Sequence, residues 1–227
     1  MLAIMGLDLD ILPDWTEEPF NRITPTLYLG ARPRPEHLEA LKGAGITHVV
    51  SCLDEEERPK MDFLKQHFHL LFLAVHDGIH QDIASTFPDL FAFAIHAQES
   101  QPHAKLLIHC QAGVSRSATL VTALLMKSGQ KTFFEAFSEV RSKRAEVLPN
   151  IGFASQLQHF EHALCPHASG ADDTSSSLAR YLHHVCKVPV DADTLQEMLD
   201  KHDQDAFQAI QAIFGDDIPR VIQGVRL

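Results

Sequence analysis

The stretch Leu106-Leu107-Ile108-His109-Cys110-Gln111-Ala112-Gly113-Val114-Ser115-Arg116-Ser117 decides the fold. Its opening apolar run is the mark of a strand buried on both faces of a sheet. The continuation, Ser117-Ala118-Thr119-Leu120-Val121-Thr122-Ala123-Leu124-Leu125-Met126, reads as a helix. The segment between them is a loop joining the C-terminal end of a strand to a helix N-terminus, where oxyanions bind in α/β sheets.

The residue types in this loop fit a phosphate. Gly113 supplies the backbone freedom that lets successive N–H groups turn inward. Arg116 adds a planar guanidinium that can hold two oxygens at once. Those donors also act on Cys110, whose thiol is expected to lose its proton below the free value of about 8.5. The thiolate would attack phosphorus in line and form a phosphocysteine. Its equatorial oxygens would rest on the backbone from Gln111 through Ala112, Gly113, Val114 and Ser115, and on Arg116. Ser117 is placed to donate a hydrogen bond to the sulfur and ease its departure when water attacks. A buried small hydrophobe beside a surface cation would explain Cys110 alone. It does not explain His109, Cys110, Gly113, Arg116 and Ser117 on one strand–loop–helix unit.

The run His109-Cys110-Gln111-Ala112-Gly113-Val114-Ser115-Arg116-Ser117-Ala118-Thr119 resembles the signature of the cysteine-based dual-specificity protein phosphatases. Ile23 to Gly30 and Gly45 to Val50 look like the opening strands of that domain, and Leu148-Pro149-Asn150-Ile151-Gly152-Phe153 with Gln156, Leu157, Phe160 and Glu161 looks like its closing helix. Two departures stand out: Ala123 where many members carry an aromatic, and Ser51-Cys52 in place of an Asn-containing pair. The resemblance implies a general acid on the loop after the strand that precedes the phosphate-loop strand, which nominates Asp77; Asp82 is the competitor, with a helix N-cap as its alternative role. It also implies a redox partner at Cys52, since some members protect an oxidised nucleophile with a disulfide from a comparable place; a buried small residue is the simpler reading. His109 is expected to orient the loop by hydrogen bonding.

The implied fold is α/β and three-layered, with a mostly parallel central sheet flanked by helices. Candidate strands are Leu27 to Gly30, Thr47 to Cys52, His69 to Val75 and Lys105 to Cys110. Ile83, Phe87, Leu90, Phe91, Ala94 and Ile95 recur at helical spacing, and Pro88 requires that helix to start near Ser85 or Thr86 and pack on the sheet. Gly129 marks a helix stop. Thr132 and Glu135 form a capping box for a helix whose Phe133, Phe134, Phe137 and Val140 are expected in the core.

The organisation predicted is an N-terminal segment (1–19), a catalytic domain (20–165), a Ser/Ala/Asp/Gly-rich linker (166–177) and a small all-α appendage (178–227). The appendage carries three stripes: Leu178, Tyr181, Leu182 and Val185; Leu195, Met198 and Leu199; and Phe207, Ile210, Ile213 and Phe214, closed by Gly215. So short a unit barely folds alone. It is expected to dock on the catalytic domain, to self-associate, or to bind a protein partner.

A net charge of −11 argues against nucleic acid as the principal partner. Gln111, Ala112, Val114 and Ser115 are all neutral, whereas relatives acting on inositol lipids carry lysines in the loop. Phosphoproteins are therefore the expected substrates, carrying phosphotyrosine and phosphoserine or phosphothreonine. A phosphatase for a lipid, glycan or nucleotide ester is the alternative, with a non-catalytic phosphoprotein-binding module behind it. Arg141, Lys143 and Arg144 read as a basic patch or, more simply, a solvated helix end. The fifteen histidines form no recognised ligand spacing, and neither metal nor cofactor is expected. The four cysteines, Cys52, Cys110, Cys165 and Cys186, form no CxxC pair and suit a reducing compartment. Met1 to Trp15 lacks the pattern of a signal peptide, Leu2 offers no myristoylation glycine and no run would span a membrane. The expected location is the cytoplasm, with the nucleus as a second site.

Overall fold

The computed structural model describes residues 19–164 and 175–215. The segment 1–18, residues 165–174, which hold Cys165 and most of the expected linker, and residues 216–227 lie outside it. The fold is the expected α/β arrangement: five strands in the order β1-β2-β5-β3-β4. These are β1 (Phe20–Arg22), β2 (Leu27–Gly30), β3 (His48–Leu53), β4 (His69–Ala74) and β5 (Leu106–His109). All neighbours are parallel except β1, which pairs antiparallel with β2. β1 was not expected from the sequence, because three residues after Pro19 are too few to express an alternation.

Alternation along the strands assigns each side chain to a layer. Tyr28, Val49, Leu53 and Leu107 pack with Leu41, Met61 and Leu64 under α1 (Leu38–Gly43) and α2 (Asp62–Lys65). Leu29, Val50, Cys52, Leu106 and Ile108 face the other layer. There α4 (Arg116–Gly129) lies on the sheet, with α3 (Phe87–Ser100), α5 (Phe133–Lys143) and α6 (Ile151–Leu164) around it. Pro88 sits in the first turn of α3, where its missing N–H is harmless. α3 leans on α4 and α6 and reaches the sheet through Phe93, which lies edge-on to His48 at 5.4 Å. Ile95 is 52% exposed and not part of the core, because at 100° per residue it falls off the face that Phe87, Leu90 and Ala97 bury. α4 runs through Gly129 and is stopped by Gln130, whose φ of 49° takes the left-handed position expected of the glycine. Phe133, Phe137 and Val140 are buried, but Phe134 lies at the edge with the Arg180 guanidinium 4.3 Å over its ring.

The C-terminal residues fold back on this layer. α7 (Ser177–Arg180) runs into a π turn, Tyr181–Val185, followed by α8 (Ala192–Lys201) and α9 (Ala206–Phe214). Ser176 caps α7 by accepting from Ala179 N at 3.2 Å, so the helix begins inside the segment expected as linker. Leu178, Tyr181, Leu182, Leu195, Leu199 and Ile210 are completely buried in the same core as α4, α5 and α6. Each such side chain contributes about 1.5–3 kcal/mol relative to solvent exposure. Of the roles open to the extension, docking on the α/β unit is the one its apolar stripes serve.

Candidate active site

Cys110 is the first residue after β5 and 2% exposed. Continuing the alternation of β5, it falls on the α4 side, and His109 falls on the other. There His109 Nε2 lies 2.7 Å from Ser51 Oγ, and its Nδ1 lies 3.4 Å from the Cys110 carbonyl. Burial drives the imidazole down to about 3, so it orients the strand end as a neutral ring. Ser51, a departure from the family pattern, supplies its partner.

The loop after Cys110 is shaped by one glycine and gripped from behind by one arginine. Gly113 has φ +69°, and a Cβ there would fall 2.6 Å from the Gly30 carbonyl, so conformation and close approach both demand glycine. Arg144 is completely buried, which corrects its reading as part of a basic patch or solvated helix end. It is the C-cap residue of α5, and its extended backbone turns the side chain inward. Its Nε donates to Gly113 O at 2.9 Å, Nη2 to Ala112 O at 3.1 Å and Nη1 to Asn21 Oδ1 at 2.7 Å. With two carbonyls held outward, the loop amides are left to the other side. Glu146 lies 3.2 Å from Arg144 Nη1 as its counter-charge.

Arg116 opens α4. Its Nη1 donates to Val75 O at 3.0 Å and to Asp54 Oδ2 at 3.2 Å, while its buried Nε has no hydrogen-bond partner. A buried unpaired donor on a charged group is costly unless a ligand completes it. Asp54 escaped the sequence reading, since an acid just past a strand end is unremarkable as text. It lies 2.7 Å from His76 Nδ1. Burial pushes its carboxyl up, but the His76 hydrogen bond and the Arg116 charge outweigh that and hold it below the usual range.

Ser117 Oγ donates to Cys110 Sγ at 3.2 Å. Burial by itself would raise the Cys110 thiol. The Arg116 charge and the hydrogen bonds from the Ser117 hydroxyl and backbone more than offset it, and the thiol ends below its ordinary value. Ser115 is the N-cap residue of α4, yet it caps nothing: its hydroxyl donates to Asp77 Oδ1 at 2.7 Å. Asn150 Nδ2 donates to the same oxygen at 2.9 Å, and Asn150 N donates to Ser115 Oγ at 3.2 Å. Asp77 Oδ2 carries neither bond and lies 3.9 Å from Arg116 Nε. Asp82 is elsewhere, capping the turn before α3 by accepting from Ser85 N at 3.0 Å. The acid nominated from the sequence is thus beside the loop, and its competitor has the structural role.

Cys52 lies on β3 one residue past Ser51, which pairs with His109 in the parallel ladder. It is fully buried, and burial together with the charge of Cys110 pushes its thiol far up. Gln111, Ala112 and Val114 contribute backbone to the loop; Arg32 N donates to Gln111 O at 3.2 Å and Leu148 N to Val114 O at 2.8 Å. Among the described residues no three His, Cys, Asp or Glu side chains come together as a metal-holding group.

Known proteins share this arrangement. Residues 27–163 match the family model for the dual specificity phosphatase catalytic domain. The chain is 35% identical over 144 residues to rat dual specificity protein phosphatase 5, covering 63% of this chain and 36% of that protein. It is 35% identical over 145 residues to human dual specificity protein phosphatase 26, covering 63% and 68%. The chain therefore spans about a third of the first of these relatives. The crystal structure of human tyrosine phosphatase-like serine/threonine/tyrosine-interacting protein superimposes with a TM-score of 0.60 at 31% identity, over 63% of this chain and 96% of that one. The extension from Ser177 onward lies beyond the matched family residues. With residues 27–163, more than half of its length, matching that family model, the chain belongs to the dual specificity phosphatase family.

Proposed function

We propose that this protein is a protein phosphatase that hydrolyses phosphotyrosine and phosphoserine or phosphothreonine through a phosphocysteine. The observation that carries the reading is the state of one sulfur. Cys110 is almost wholly buried, and its thiol is nevertheless lowered by Arg116 and Ser117. Burial takes the Cys186 thiol the other way, up to about 12, because the Tyr181 hydrogen bond and the Arg141 charge that favour its thiolate are outweighed there.

Cys110 Sγ attacks phosphorus opposite the ester oxygen; the P–O bond breaks as the S–P bond forms. Arg116 Nε and the loop amides hold the equatorial oxygens. Asp77 gives its proton to the departing oxygen, with Ser115 and Asn150 fixing one carboxylate oxygen so that Oδ2 is the one to deliver it. Water then attacks phosphorus, Asp77 takes its proton, and the thiolate leaves toward the Ser117 hydroxyl. Neutral side chains in the loop suit a phosphorylated side chain better than a polyphosphorylated headgroup.

The acid matters most where the leaving group is worst. A phenolate leaves with a pKa of about 10, and a serine or threonine alkoxide is a poorer leaving group. Asp77→Asn is expected to slow hydrolysis of a phosphothreonine peptide at least about a hundredfold while slowing p-nitrophenyl phosphate much less. Equal losses on both would remove Asp77 from this role. The same reading makes Cys52 the thiol that condenses with an oxidised Cys110 sulfenic acid, releasing water and forming a disulfide. Peroxide treatment followed by peptide mapping is expected to reveal a Cys52–Cys110 link. Irreversible inactivation, equally fast in Cys52→Ser, would count against it.

A further inference from the structure

The loop that carries Asp77 is fastened to α6. A Cβ on Gly152 would fall 1.8 Å from the Ile79 carbonyl, so the loop backbone lies directly on the helix. The Gln156 side chain then holds the end of the loop: its Oε1 accepts from Ile83 N and Ala84 N, both at 2.9 Å, and its Nε2 donates to Gln81 O at 2.8 Å. Asn150 holds Asp77 itself.

The C-terminal extension backs this fastening at three points. Tyr181 Oη donates to Pro149 O at 2.6 Å, one residue before Asn150. Ala206 N, opening α9, donates to Ser155 Oγ at 3.0 Å, one residue before Gln156. Phe207, half-buried on α9, meets the exposed ring of His80 edge-on at 5.8 Å, touching the acid loop directly.

We propose that the helical extension is a positioning element for the general-acid loop: Tyr181 and α9, through Phe207 against His80, hold that loop and its α6 support so that Asp77 meets the leaving oxygen. The inference rests on the phosphatase reading above. Tyr181, Ala206 and Phe207 lie outside the phosphate loop and make no hydrogen bond to Cys110; they act through Asn150, Ser155, Gln156 and His80. Misplacing a general acid slows only reactions that need its proton, whereas damage to the phosphate loop slows all of them.

Steady-state kinetics on the full chain separates the two. Phe207→Ala is expected to lower kcat on a phosphothreonine peptide about tenfold and on p-nitrophenyl phosphate less than about twofold, with KM for the latter unchanged. His80→Ala, on the exposed side of the same contact, is expected to show the same pattern, and Tyr181→Phe a weaker version of it. In an Asp77→Asn background Phe207→Ala should cost nothing further. Parallel losses on both substrates, a loss undiminished without Asp77, or no loss from either Phe207→Ala or His80→Ala would overturn the inference and leave the phosphatase reading standing. Wild-type protein that turns over neither ester would overturn the reading and the inference with it.

Discussion

Four helix N-termini divide into two kinds. In α5, α8 and α9 the residue before the first turn closes it: Thr132 accepts from Glu135 N at 3.3 Å, Asp191 from Thr194 N at 2.9 Å and Asp205 from Gln208 N at 3.0 Å. α4 begins after Ser115, an equally good capping residue, yet no side chain closes it and the Ser115 hydroxyl is committed to Asp77. Residue type at the cap position is the same in kind, but the outcome is opposite. Three ends are finished for stability, and the fourth is left with uncapped amides and a partial positive charge, which the phosphatase reading above assigns to an anion. The difference is made by neighbours distant in sequence, Asp77 and Asn150 drawing the hydroxyl away and Arg144 holding two loop carbonyls outward.

The contrast can be broken in order of expected size. Arg144→Met should cost about 3–5 kcal/mol in denaturant unfolding, because Glu146 and two loop carbonyls lose a buried cation. It should also slow iodoacetate alkylation of Cys110. A loss below about 1 kcal/mol would mean that the loop holds its shape unaided. Orthovanadate, which can fill the open end of α4 and bond to sulfur, should stabilise the wild type by about 2.7 kcal/mol at a hundred times its Kd. An unchanged Tm in saturating vanadate would mean that the amides are not available to an anion. Thr132→Ala is the smallest effect: about 1 kcal/mol of stability lost, with kcat/KM on p-nitrophenyl phosphate unchanged. A matching fall in turnover would erase the distinction between the two kinds of helix end.

How much of this was legible in the sequence depends on how local each feature is. β2, β3 and β5 and the phosphate loop were readable because buried parallel strands are largely apolar runs and the loop residues are contiguous, and the edge strand β4 because Leu70 to Ala74 is apolar throughout. The capping box at Thr132 was readable for the same reason. Asp77 was placed by likeness to the family, and contacts to Ser115 and Asn150, 38 and 73 residues away, are what distinguish it from Asp82. Arg144 was misread because its neighbours Arg141 and Lys143 are exposed, and nothing in the local text marks the point where α5 ends and the chain turns inward. Asp54 was missed entirely, since its partners His76 and Arg116 lie 22 and 62 residues further on. The stripes of the extension were visible, but not what they would cover. That answer lies in the surface offered by α5 and α6.

Cys52, Cys110 and Cys186 are all enclosed, but their proton affinities diverge: Cys52 is pushed far up, Cys186 to about 12, and Cys110 alone is lowered. Chemical selectivity for one position among the described residues is thereby written into the interior, without any difference in access. An electrophile tuned for ionised sulfur would mark Cys110 in preference to Cys52 and Cys186. Tagging, inhibitor screening by intact mass and occupancy measurements could all use that selectivity with Cys52 and Cys186 left in place.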